Sequence, residues 1–98
     1  MDLKLIERHM IELVEKNRWN EKNSNKPQTA ENIAKSICIE SAELLECYQW
    51  TNCPNIKKLE DEIADIILYS VHFANIANID LESALKNKIQ KNRKRSWS

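Results

Sequence analysis

No glycine occurs anywhere in the 98-residue sequence, and that omission removes whole classes of architecture. A phosphate-cradling loop of the Walker type, a dinucleotide-binding turn and a tight primed hairpin each need glycine, for a positive φ or for close approach of the main chain. If such a chain handles polyanions at all, it does so with side chains and metal ions. No segment alternates apolar and polar residues with a period of two, and there are no internal repeats or low-complexity tracts. What remains is helix.

Leu3, Ile6, Met10, Leu13 and Val14 recur at helical spacing, which predicts a first helix over residues 2–18. The stretch "NRWNEKNSNKPQ" (17–28) is a polar loop that Pro27 brings to its end. Thr29 is placed to cap a second helix running to about Trp50. "TNCPN" (51–55) breaks the chain, because Pro54 disfavours helix at Cys53. A third helix is expected from Asn55 to Ala77, then a turn and cap at Asn78 and Asp80, and a fourth helix from Leu81 to about Arg93. The fold class is therefore all-α, a single domain over residues 1–98. The short connection should pack the second and third helices antiparallel. Ile67, Leu68 and Val71 lie off the main apolar face of the third helix, so other copies of the chain are expected to cover them, in a homodimer or homotetramer.

Two acidic pairs interrupt the apolar faces. At 100° per residue from Glu40, the positions Ile33, Ile37, Leu44 and Cys47 fall between about −20° and +60°, with Glu43 near −60°. From Glu62, the positions Leu59, Ile66, Tyr69 and Phe73 fall in the same interval, with Asp65 near −60°. Each helix thus offers an i, i+3 pair beside its core stripe, and a hairpin closed along those stripes brings four carboxylates together. Bare, they would repel and be costly to desolvate. Oxygen-only ligands suit Mg²⁺, or Mn²⁺. The di-iron alternative needs Glu-x-x-His on two helices, and neither His9 nor His72 has an acid three residues before it. Exposed acids paired with lysines across the hairpin are the plainer alternative.

The formal net charge is zero, which argues against a dedicated nucleic-acid binder, but it hides an asymmetry. Residues 40–65 carry seven acids against two lysines, whereas residues 86–95 carry six cations and no acid. Both halves of a metal-plus-polyphosphate site are present in separate segments. Three cysteines without C-x-x-C spacing suit a reducing compartment. The start of the sequence has no secretory-signal pattern and no apolar run is long enough to cross a bilayer. A cytoplasmic protein is expected, with no membrane partner.

"IAKSICIESAELLECYQW" followed by "EDEIADIILYSVHFANIANIDLESALKNKIQKNRKR" resembles the MazG-like nucleoside triphosphate pyrophosphohydrolases over roughly residues 17–95. The resemblance rests on three motifs in order: ExxE at Glu40–Glu43, ExxD at Glu62–Asp65 and KxxxNxxR at Lys88, Asn92 and Arg95. It implies an all-α fold that associates as dimers or tetramers. The implied activity is Mg²⁺-dependent hydrolysis of NTP or dNTP to monophosphate and pyrophosphate. Glu40, Glu43, Glu62 and Asp65 would be metal ligands, with Glu43 and Asp65 catalytic, and Lys88, Asn92 and Arg95 would hold phosphates. This chain departs from the usual pattern at Ile39, where many members carry a second Glu, at Gln28–Thr29–Ala30 in place of His-Thr-Pro, and at Ser96–Trp97 in place of Tyr-Pro.

Trp19 and Trp50 flank the acidic helix in sequence, and with Gln28 they are candidates for contact with a nucleobase, since an aromatic face stacks on any base. Each tryptophan could equally cap the bundle core; Trp97, at a basic terminus, is expected to be exposed. Two rival functions remain: a non-catalytic helical dimerisation or regulatory module that keeps the scaffold, and nucleic-acid binding through the basic fourth helix, which would be steeply salt-dependent.

Overall fold

A computed structural model describes residues Met1–Arg95; Ser96 and Trp97 lie outside the described residues. Within them the chain forms four helices and no strand: α1 (Leu3–Lys16), α2 (Ala30–Glu46), α3 (Ile56–Ile76) and α4 (Leu81–Lys94). Each begins at a side-chain cap that accepts a backbone N–H of the first turn. Asp2 accepts from Leu5 at 2.9 Å, Thr29 from Asn32 at 3.1 Å, Asn55 from Lys57 at 2.8 Å and Asp80 from Ser83 at 3.1 Å.

Without glycine, two helices end on residues that carry a Cβ in the left-handed region: Arg18 at φ 57° and Asn78 at φ 56°. Both ends are Schellman closures. After α1, Trp19 N–H reaches back to Val14 O at 3.1 Å and Arg18 N–H to Glu15 O at 3.0 Å. After α3, Ile79 N–H reaches Ala74 O at 2.8 Å and Asn78 N–H Asn75 O at 3.4 Å. Asn tolerates this conformation and Arg does so at a cost.

α2 ends differently, and earlier than its sequence suggests. The chain past Glu46 tightens into i→i+3 bonds, Tyr48 N–H to Leu45 O at 3.0 Å and Gln49 N–H to Glu46 O at 3.1 Å. The expected helix to Trp50 therefore stops one turn short, because 3₁₀ closure satisfies the last carbonyls before the Pro54 break.

α2 and α1 both pack principally on α3. Glu40 meets Glu62 near one end of the pair, while Gln28 meets His72 near the other, so α2 and α3 run antiparallel as expected. The enclosed core is thin: Met10 and Val14 of α1, Ile33 of α2, Val71 and Ala74 of α3, with His72 buried among them. Val71 is thus covered within one chain, and Leu68 is half-buried, but Ile67 keeps 51 % of its surface exposed. Ile56 and Ile63 lie on the same stripe of α3 and are likewise exposed. α4 has no comparable packing against the other three helices. Its Leu85 and Ile89 are half uncovered. The radius of gyration, 15.8 Å, exceeds the value of about 13 Å typical of a compact domain of 100 residues.

Candidate active site

The α2–α3 hairpin closes along the acidic stripes. Glu40, Glu62 and Asp65 each bring one carboxylate oxygen to within 4.8 Å of the others, and all three side chains are half-buried. Oε2 of Glu40 and Oε2 of Glu62 are shielded from solvent and have no hydrogen-bond partner. A buried carboxylate oxygen without a donor is costly, and a cation held between these two atoms would offset that cost.

Protonation tells the same story. Glu40 is pushed up to about 7, first by burial, then by the hydrogen bond and like charge of Glu43 and the charge of Asp65. Burial also raises Glu62, followed by the hydrogen bond and charge of Glu43. The fourth predicted acid, Glu43, therefore belongs electrostatically to the cluster, although it is not among the three whose oxygens converge. It lines an adjoining cavity of ≈ 530 Å³ with Glu46, Lys58, Asp61 and Glu62. The donor set is all oxygen, clustered and partly desolvated. It fits a hard divalent cation and offers nothing to a soft one.

One residue beside the cluster reads in the sequence only as core. Tyr69 follows Asp65 by one turn, and its phenol is raised first by burial and then by the charges of Glu40, Asp65 and Glu43. It also lines a second cavity, of ≈ 320 Å³, with Trp19, Lys26, Gln28, Asn32 and Ile39. The carboxylates and this cavity therefore share a wall. Trp19 is set there by the Schellman closure of α1, and the Lys26 ammonium lies 5.5 Å from its ring.

The nucleobase candidates separate. Trp19 and Gln28 line the same cavity. Trp50 does not join them: it is 89 % exposed, beside Glu46, Pro54 and Lys58 at the other end of the hairpin. Among the phosphate candidates on α4, Lys88 and Arg95 are exposed and Asn92 is half-buried. The charges that act on Glu40 come from the carboxylates of Glu43 and Asp65. Of the histidines, His9 is exposed and lies 3.7 Å from Glu12, whereas His72 is buried against Gln28. The His72 contact had no signal in the sequence beyond its place two turns after Asp65 on one face of α3.

Among the described residues, no helix is long and apolar enough to cross a membrane. A comparison with curated proteins finds no match. Among solved structures, the chain is similar to a pyrophosphatase from Archaeoglobus fulgidus, at 35 % identity and a TM-score of 0.65, over 86 % of this chain and 88 % of that one. A family model described as MazG-like matches residues 35–97, which takes in both acidic pairs and the basic motif. The chain belongs to the MazG-like family.

Proposed function

We propose that this protein is a divalent-metal-dependent nucleoside triphosphate pyrophosphohydrolase, converting NTP or dNTP to the nucleoside monophosphate and pyrophosphate. The observation that carries this reading is the convergence of Glu40, Glu62 and Asp65 around two shielded, partnerless oxygens. Family membership and the similarity to a structure described as a pyrophosphatase support the reaction class. No comparable feature favours a purely structural module, because half-buried acids that raise the proton affinity of Glu40 and Glu62 only strain such a scaffold.

Mg²⁺, or Mn²⁺, held by Glu40, Glu62 and Asp65, would screen the phosphate oxygens and acidify a water. Glu43, beside the cluster, would orient the attacking water and take its proton. The water oxygen bonds to the α-phosphorus as the bond to the α–β bridging oxygen breaks, and pyrophosphate leaves with that oxygen. Lys88 and Arg95 neutralise the departing β- and γ-phosphates while Asn92 hydrogen-bonds to them, a largely electrostatic task in phosphoryl transfer. Trp19 and Gln28, across the wall that Tyr69 forms, receive the base.

Assembly into a homodimer or homotetramer is part of the proposal. The exposed Ile56, Ile63 and Ile67 stripe, the uncovered Leu85 and Ile89, and the large radius of gyration all support it. A cytoplasmic setting agrees with three free cysteines. The test is a panel of NTPs and dNTPs incubated with and without Mg²⁺ and assayed for pyrophosphate. Metal-dependent release is the expected result, and no release from any member would end the proposal.

A further inference from the structure

His72 is 4 % exposed and is not one of the acids to which the reaction is assigned. Its Nε2 lies 2.7 Å from Oε1 of Gln28, forty-four residues away in sequence. The same Gln28 amide places its nitrogen 2.6 Å from the main-chain carbonyl of Lys26. Together these two contacts fix the direction of both hydrogen bonds. A carbonyl oxygen can only accept, so the atom facing Lys26 O must be the NH₂ group, and the atom facing His72 must be the amide oxygen. That oxygen can only accept in turn, so His72 Nε2 must carry the proton. His72 Nδ1 is buried and has no partner. It is then an unprotonated acceptor, and a buried acceptor without a partner is less rare than a buried N–H without one. Burial also lowers the His72 pKa and keeps the ring neutral, in agreement with this tautomer.

The consequence lies at Gln28. Its amide keeps one N–H and one oxygen lone pair free, in an order that it cannot reverse without facing two carbonyl oxygens together and stranding the His72 proton. Gln28 lines the cavity that holds Trp19 and Tyr69. Asp65, Tyr69 and His72 fall at i, i+4 and i+7 on α3, so they share one face. Seven residues at the helical rise place His72 about 10 Å along the axis from Asp65.

We propose that His72 is a positioning residue which, with the Lys26 carbonyl, locks the polarity of the Gln28 amide and thereby sets which base edges the Trp19 cavity accepts. The ligand group is a nucleobase edge with a donor beside an acceptor, an amide or amidine edge. This inference rests on the pyrophosphohydrolase reading for its substrate, but the lock itself does not.

Two measurements test it. Long-range ¹⁵N NMR of the wild-type protein should show His72 as the Nε2–H tautomer and a Gln28 side-chain amide distinct from the exposed ones. An Nδ1–H tautomer overturns the lock, whether or not any variant folds. In steady-state kinetics over nucleotides that differ only in base, His72→Leu should shrink the ratio between the highest and lowest KM at least fivefold, with kcat within twofold of wild type. His72→Gln, which restores an N–H donor, should recover at least half of that ratio on a logarithmic scale. A uniform change in KM across bases, an unchanged ratio, or a loss that His72→Gln does not recover would overturn the positioning role. If the wild-type protein turned over no nucleotide, the pyrophosphohydrolase reading would fail, and the NMR tautomer would still decide the lock.

Discussion

Tyr69 stands one helical turn beyond Asp65, and the negative charge of Asp65, with those of Glu40 and Glu43, helps to hold its phenol protonated. The same ring walls the cavity of Trp19 and Gln28. One face of α3 thus joins the acidic cluster to the region proposed for the base, and the first predictions concern its two ends.

Replacing an acid by its amide keeps the shape and removes the charge. Glu43→Gln and Asp65→Asn should each abolish measurable pyrophosphate release while leaving the far-ultraviolet circular dichroism unchanged. Glu43 would lose its capacity to take a proton, and Asp65 would lose the charge that serves the cation. Unchanged turnover in either variant would end that residue's assignment.

Glu40 makes the metal-free protein sensitive to pH in a defined direction. Its folded pKa of about 7 lies above the ordinary 4.5, so between those values the folded state binds the extra proton. The stability contributed by this group is fully present below about 4.5 and is lost as pH rises through 7. In chelator, the melting temperature of wild type should therefore fall across this window relative to that of Glu40→Gln. At pH 8 the variant should be the more stable of the two. Added Mg²⁺ should raise the wild-type melting temperature at pH 8 much more than at pH 5, where protons compete for the same oxygens, and should do little for Glu40→Gln. A parallel pH dependence of the two proteins by scanning calorimetry would contradict the account.

Ile67 is half exposed in a single chain, so a charge there would be tolerated by a monomer. In an assembly that covers the Ile56–Ile63–Ile67 stripe, Ile67→Glu buries an unpaired carboxylate. Light scattering should show wild type as a dimer or tetramer at micromolar concentration and Ile67→Glu as a smaller species. A wild-type monomer mass would refute the assembly.

Arg18 closes α1 in the left-handed region. A β-branched residue fits poorly at positive φ, so Arg18→Val should lose stability beyond the cost that Arg already bears there, read as a lower melting temperature. The same change should disturb Trp19, whose N–H completes that closure, and so alter tryptophan emission on nucleotide titration. Arg18→Asn, compatible with this conformation, should leave both nearly unchanged.

The acidic cluster was legible in the sequence because it depends on one number, the helical repeat, applied twice to helices joined by a short connection. Glu40, Glu62 and Asp65 converge for that reason, and Glu43 sits at the margin where its angle put it. The caps Thr29 and Asp80 were readable because capping is local chemistry. Trp50 was less readable: its orientation depends on whether the end of α2 continues as α-helix or tightens, a difference of one hydrogen-bond register. The pairing of Gln28 with His72 was invisible, since nothing local links a loop glutamine to a histidine forty-four residues later.

The unbroken run of α3 from Ile56 to Ile76 turns the interval between Asp65 and His72 into a gauge cut in advance. A loop could lengthen by a residue and adapt, but one residue removed between these two positions would swing His72 by about 100° and draw it in by about 1.5 Å. On the proposed reading, substitutions around Gln28 could therefore change which base is welcomed more freely than they could alter its distance from the acidic cluster.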